Sequence, residues 1–321
     1  MSLYSSFSSS SSSDSERYKN NQRKSWDVVA EGWQKWWKTF EKDAQKVNER
    51  LVELAEIKQG DKVLDIATGI GEPAITAARK VGIKGHVLAT DISSQMLKIA
   101  KQRTISFGLQ GIVEFKEIDA ERIDIDLQSL LQQLPSFNAV LCRWGLMFVP
   151  NLTSTLTSIY KLLSSGGKVA AAVWSEPVKV PKLYAAIEFV TKEVGIPSTI
   201  TDNNSTYAKI LSPFNLSNIN IVKDALVEAG FTDIHIEYLN VAFEFASAEE
   251  YVRFAKAIIA PLQDILANET ERRREEIWKM LTKEVDRKYV TVSDTDDNNN
   301  IDHNRSIRMD NETICIVGRK L

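Results

Sequence analysis

The sequence predicts an α/β fold, a mostly parallel sheet with helices on both faces, and three observations carry that reading. Short apolar runs alternate with amphipathic segments from residue 62 to residue 174, the pattern of strands joined by right-handed crossover helices. The first run, Lys62 to Ile66, empties into a glycine turn, Ala67-Thr68-Gly69-Ile70-Gly71, with the helix-forming segment Ala74 to Arg79 close behind. The second run, His86-Val87-Leu88-Ala89-Thr90, closes on a carboxylate, Asp91.

The glycine turn is the centre of the chain. Gly69 and Gly71 allow a tight turn and let a ligand approach the amides that open the next helix. Pro73 suits the first helical position. Gly69 to Ala74 also matches the G-x-G-x-x-A pattern of dinucleotide-binding turns, but Asp65 argues for another ligand. A carboxylate at that strand end repels a pyrophosphate, whereas it holds an ammonium group or an ordered water. Asp91, 20 residues after Gly71, is positioned to accept hydrogen bonds from ribose hydroxyls. The ligand reads as an adenosine carrying a cation, without a diphosphate.

Asp65-Ile66-Ala67-Thr68-Gly69-Ile70-Gly71, followed by Asp91-Ile92-Ser93-Ser94-Gln95-Met96-Leu97, resembles the class I S-adenosylmethionine-dependent methyltransferases. Among these it is most similar to the group containing the ubiquinone/menaquinone-biosynthesis methyltransferases. The resemblance runs from about Trp26 to Leu321. Ala67 departs from it, standing where many members have glycine. The resemblance implies a Rossmann-like sheet whose last strand is antiparallel, S-adenosyl-L-methionine as cofactor, and methyl transfer to a small-molecule acceptor, quinone-like or another metabolite. It implies cofactor contacts from Asp65, Ala67, Thr68, Gly69, Gly71, Asp91, Ile92, Met96, Asp119, Ala120 and Arg143, with Asp119 on the adenine amino group. A cofactor-binding regulatory protein without turnover, or a NADP-dependent oxidoreductase, are the alternatives.

Taken in order, residues 1–24 form a serine-rich tail whose composition predicts disorder. Trp26, Val29, Ala30, Trp33, Trp36, Trp37 and Phe40 then recur at helical spacing. They make a wide aromatic face opposite Asp27, Glu31, Lys35, Lys38 and Glu41. Such a stripe packs on the domain, closes over a site as a lid, or lies on a membrane surface; the organisation adopted for residues 25–57 is an N-terminal helical lid. A second helix is expected from Gln45 to Ile57, and the methyltransferase domain from residue 58 to 321. Ser93 or Ser94 caps a helix ending at Gly108. Strands follow at Ile112 to Ile118 and Phe137 to Cys142, with a weak helix between them, Asp126 to Leu134. The fourth strand runs straight into Arg143-Trp144-Gly145, which therefore border the reaction site. An amphipathic helix around Leu156 to Leu163 turns at Gly166-Gly167 into a fifth strand, Lys168 to Trp174.

Residues 176–218 interrupt the alternation with four prolines and are expected to cap the acceptor pocket. Trp33, Trp144, Gly145, Tyr184 and Tyr207 are the candidate pocket residues. Beyond them lie a helix from Ile219 to Ala229, a strand toward Phe245, a capping box at Ser247 to Glu250, a charged helix from Asn268 to Arg287, a flexible loop at about 293–305, and a final strand, Thr313 to Gly318.

The 321 residues carry a net charge of −3, which leaves no basic stripe for nucleic acid. No apolar run has the length of a membrane helix, and the N-terminus lacks a signal pattern, so a cytoplasmic protein is expected. Cys142 and Cys315 sit in apolar runs, as buried thiols rather than metal ligands or a disulfide. His86, His235 and His303 all have structural explanations. The sequence identifies no general base, and oligomeric state is not legible in it.

Overall fold

The computed structural model of the chain describes residues 12–128, 136–196, 212–294 and 303–321. Its helices are α1 (Ser12–Leu54), α2 (Ala74–Val81), α3 (Ser94–Ser106), α4 (Ile123–Asp126), α5 (Leu152–Leu162), α6 (Pro181–Val194), α7 (Ile219–Glu228), α8 (Ala248–Ile258), α9 (Ala260–Leu266) and α10 (Glu271–Tyr289). Its strands are β1 (Lys62–Ile66), β2 (His86–Asp91), β3 (Val113–Glu117), β4 (Phe137–Arg143), β5 (Leu163–Trp174), β6 (Thr232–Phe245), β7 (Val290–Asp294) and β8 (His303–Arg319).

The strands form one sheet in the order β3-β2-β1-β4-β5-β8-β6, with β7 paired to the start of β8. β3 through β5 run parallel, and β8 is antiparallel between β5 and β6. β1 and β4 are almost wholly buried because helices cover both faces of the sheet there. β6, at the edge, alternates exposed and covered residues over its first half. Order reverses between β1 and β4, where the crossovers leave to opposite faces, and ligands bind at such a switch point.

The N-terminal segment departs from expectation. One continuous 43-residue helix takes the place of the expected disorder over residues 12–24 and of the two separate helices, while residues 1–11 of the expected tail lie outside the described residues. No proline interrupts residues 12–54, and long-range contacts supply what the polar tail composition lacks. The helix divides along its length. Phe40, Ala44, Val47 and Leu51 lie in the main core, whereas Val29 and Ala30 join Ile70, Met96 and Ile99 in a smaller cluster ringed by Trp26, Trp33 and Trp37. Gly32 is where α1 crosses α8: a Cβ there would meet the Ala257 carbonyl oxygen at 2.0 Å.

Smaller differences have local causes. Pro73 sits at the cap before α2 rather than in its first turn, after a cis Glu72–Pro73 bond. β5 begins at Leu163 and carries Gly166 at φ +77 within it. α4 ends at Asp126, where a helix to Leu134 was expected to begin; residues 129–135, most of that expected helix, lie outside the described residues. So do residues 197–211 of the expected cap and residues 295–302 of the expected loop. Among the described residues no helix is long and apolar enough to cross a membrane.

Candidate functional site

A cavity of about 870 Å³ opens where the carboxyl ends of β1 to β5 meet α1, α6 and the α8–α9 junction. Each strand delivers its last residues to it. The turn after β1 supplies Ala67, Thr68, Gly69 and Ile70, the end of β2 supplies Asp91 and Ile92, and Met96 follows from α3. Asp119 and Ala120 come from beyond β3, Arg143 from the end of β4 with Trp144 and Gly145 just after it, and Trp174 from β5.

The Asp91 carboxylate stands at the centre of the turn. It accepts from the Gly69 N–H at 2.8 Å and from the Ser93 N–H at 2.9 Å. Burial pushes its carboxyl up to about 6, against those backbone donors, which favour the charged form. Asp119 caps the short turn after β3 through the Glu121 N–H and pairs with the Lys19 ammonium at 2.9 Å.

Asp65 is the exception among the turn residues. It is wholly buried beneath the cavity rather than on its wall, and it accepts from the Ala74 N–H at the start of α2. Burial pushes it up to about 8. Its Oδ1 has no hydrogen-bond partner. Gly71 does not line the cavity either. Its φ is +105, and a Cβ would crowd Ile75 and Ala100, so its glycine serves the packing of α3 against the turn. Gly69 is the position open to a ligand, with φ +55 and nothing within 4 Å of an added Cβ.

Arg143 makes a bidentate ion pair with Glu41, at 2.8 and 2.5 Å. Burial disfavours the Glu41 charge, but the Arg143 guanidinium holds its carboxyl below the usual range. Glu41 was assigned to the polar face of α1 by spacing. The structure turns it inward because Arg143, at the strand end opposite, needs a buried counter-charge. Glu72 and Arg103 extend the network, 3.5 Å apart.

Rings wall the other half of the cavity. Trp33 packs edge-on against Phe40 at 4.8 Å, Phe40 against Trp144 at 5.6 Å, and Trp144 stacks on Trp174 at 4.1 Å. Trp144 is held in a left-handed backbone conformation, φ +56, and its indole N–H donates to Thr313. The Trp33 indole nitrogen is buried with no partner. Tyr184, an expected pocket residue, does not line the cavity; its ring packs edge-on against Phe214. Tyr207 lies outside the described residues.

Sequence reasoning missed Phe40, Trp174 and Lys182 as cavity residues, and the whole contribution of residues 17–25. Trp174 was legible as the end of the fifth strand. Lys182 had no signal, since a lysine in an amphipathic helix ordinarily faces solvent. His86 and His235 lie on strands beside Glu114 and Glu237 and do not line the cavity.

The sheet order with β8 antiparallel, the glycine turn after β1 and a carboxylate closing β2 define a class I S-adenosylmethionine-dependent methyltransferase. The chain belongs to the methyltransferase-domain family, whose profile matches residues 57–230. It is 28% identical over 208 residues to the ubiquinone/menaquinone biosynthesis C-methyltransferase UbiE of Pseudomonas entomophila, a match covering 64% of this chain and 74% of that one. The Pseudomonas putida protein of the same name is equally similar, at 28% over 208 residues, with the same coverage. Among solved structures, Haemonchus contortus phosphoethanolamine N-methyltransferase 2 in complex with S-adenosyl-L-methionine is similar at 16% identity and a TM-score of 0.46, covering 86% of this chain and 52% of that one.

The residues present fit S-adenosylmethionine. The open face of Gly69 and the Asp91 carboxylate on the cavity wall suit a nucleoside that needs close backbone approach and an acceptor for its hydroxyls. The bound cofactor supplies an electrophilic methyl group on a sulfonium.

Proposed function

We propose that the chain methylates a ring carbon of a quinol-like small molecule. The observation that carries this reading is the acceptor half of the cavity: Trp33, Phe40, Trp144 and Trp174 give it flat apolar walls, and the unpaired Trp33 N–H offers one donor to a ring oxygen. A planar, oxygen-bearing ring satisfies both features. The C-methyltransferase relatives support it.

In this reading Asp91 accepts from the ribose hydroxyls and Asp119 from the adenine amino group. Ile92, Met96 and Ala120 flank the adenine, and the Ala67-Thr68-Gly69 turn runs along the cofactor's amino-acid end. Asp65 acts from below, through a water or the cofactor's ammonium. Arg143, tied to Glu41, sets the local charge rather than gripping the cofactor. The leaving thioether needs no proton, so the chain contributes alignment and water exclusion, worth roughly 7–11 kcal/mol in well-oriented reactions.

The N-terminal part of α1 is the lid of this proposal. Lys19 reaches Asp119, the Arg23 guanidinium donates to the Ile92 carbonyl at 3.2 Å, and the Ser93 hydroxyl donates to Asp27 at 2.6 Å. These contacts hold it over the adenine end, while Trp36 and Phe40 belong to the core. The two buried thiols suit a reducing, cytoplasmic compartment.

The test is incubation with methyl-labelled S-adenosylmethionine and a reduced 1,4-naphthoquinone that bears an alkyl tail and no ring methyl. Mass spectrometry is expected to find the label on the ring. Label recovered only in other acceptors from a cell extract would overturn the quinol reading.

A further inference from the structure

Lys182 is a polar group of the cavity that the proposed function does not use. It opens α6, and its side chain is buried while still contributing to the cavity wall. Its ammonium position is enclosed by rings: Phe243 at 4.0 Å, Phe40 at 4.2 Å, Trp174 at 4.7 Å and Trp144 at 5.7 Å. Three of those rings also line the cavity. The backbone is pinned on both sides. Its N–H donates to Asn311 Oδ1 at 2.9 Å, and its carbonyl accepts from the Tyr251 hydroxyl at 3.1 Å. A long side chain is thereby fixed at one depth.

Among the described residues no carboxylate lies within ion-pair distance of the Lys182 nitrogen. The charged groups that face it are Glu41 and Asp43 from α1 and Arg143 from β4. Glu41 is already engaged by Arg143, and Asp43 accepts from the Glu244 N–H at 3.2 Å. The position at the start of α6 adds the positive end of a helix dipole. Ring faces favour a cation at such sites, but a fully buried ammonium without a counter-charge loses its hydration. Burial first, then the Arg143 charge, lowers the Lys182 pKa well below its ordinary value.

We propose that Lys182, on the wall of the cavity, is the general base of the reaction and takes the hydroxyl proton of the acceptor ring. The assignment rests on the quinol reading of the acceptor. As the ring carbon bonds to the methyl group, the methyl–sulfur pair stays on sulfur, giving S-adenosylhomocysteine. The ring hydroxyl proton passes to the Lys182 nitrogen, and the carbon-bound proton moves through water to the ring oxygen as the ring regains aromaticity, restoring the hydroxyl and leaving one proton on the amine. The resulting ammonium is held by the four rings until it releases its proton through the cavity mouth.

The test combines a titration that needs no acceptor with a pH–rate profile. Protein labelled with 13Cε-lysine gives a Lys182 resonance identified by its loss in Lys182→Met. That resonance is expected to pass to the neutral-amine position at a pH well below that of an ordinary lysine. A resonance that stays at the ammonium position until the exposed lysines titrate overturns the proposal. Lys182→Met is expected to melt no lower than wild type and to bind S-adenosylhomocysteine within about twofold, because an apolar chain replaces an unpaired buried amine. Its kcat with the naphthoquinol is expected to fall about 10²–10⁴-fold with loss of the acid limb of the profile, and Lys182→Arg is expected not to restore it. A variant that keeps the wild-type acid limb shows a packing role only and also overturns the assignment. Wild-type protein that methylates no quinol defeats the quinol reading alone, and the titration then decides Lys182.

Discussion

The methyl group of Ala67 fills the space that a side chain at residue 145 would need: a Cβ on Gly145 would stand 2.5 Å from Ala67 Cβ and 2.8 Å from Cys142 Sγ. Ala67 itself is held at φ +54, a conformation costly for any residue with a side chain. The two residues, one from each central strand end, therefore share one methyl-sized volume at the cavity floor.

That sharing predicts a coupled pair. Gly145→Ala is expected to cost about 1–3 kcal/mol by overpacking. Ala67→Gly is expected to be nearly neutral, as relief of backbone strain offsets glycine's entropy. Combining them is expected to recover part of the Gly145→Ala loss, a coupling of about 1 kcal/mol. Urea unfolding of the four proteins measures it; strictly additive effects would show that the floor relaxes around either change.

Asp91 predicts a pH dependence of binding. Ribose hydroxyls donate to the ionised carboxylate, whose pKa lies near 6 in the ligand-free protein. S-adenosylhomocysteine affinity is expected to be flat above about pH 7 and about tenfold weaker near pH 5. Asp91→Asn is expected to weaken binding by about one to two orders of magnitude and to flatten that slope. Calorimetry across pH 5–8 decides it. Glu72, also raised to about 6 by burial, accounts for any slope that the variant retains.

Stability of the ligand-free protein runs the other way. Asp65 has a folded pKa of about 8, above the ordinary value of about 3.9. Its contribution is complete below the unfolded pKa and is lost as pH rises from about 4 to 8. Asp65→Asn is expected to gain stability relative to wild type as pH rises through that window. Melting curves at pH 5 and pH 8 check the sign; a difference independent of pH would mean that Asp65 ionises normally.

Glu41 predicts the largest stability loss. Its removal leaves the Arg143 guanidinium buried without a partner, at a cost of about 3–5 kcal/mol for Glu41→Ala. Exchanging both residues for Leu and Met is expected to recover most of that loss. Denaturant midpoints compare the two. A mild effect of the single change would mean that Glu72 takes over the guanidinium.

Lys19 tests the lid. Removal of residues 1–24 deletes the Lys19–Asp119 pair and leaves Phe40 and Trp36 in place. The unliganded melting temperature is expected to stay within a few degrees of wild type while S-adenosylhomocysteine dissociates about fivefold faster or more. Unchanged dissociation, or a large loss of stability without ligand, would make this segment part of the folded core.

The alternating sheet, the glycine turn and the carboxylates Asp65, Asp91 and Asp119 were legible in the sequence because local spacing expresses them. Strand length, a tight turn and a strand-end charge are properties of neighbouring residues. Whether each residue faces the ligand was decided by packing across the sheet. Asp65 and Gly71 sit in the motif yet support the turn from beneath and behind, since the same backbone curve that exposes Gly69 turns them away. The ordering of residues 12–24 and the burial of Glu41 both depend on partners about 100 residues away, Asp119 for the first and Arg143 for the second. No local pattern carries that information. Lys182 is the extreme case. Its neighbours in sequence describe an ordinary amphipathic helix, and only the meeting of α1, β4, β5 and β6 around α6 encloses its amine in aromatic rings.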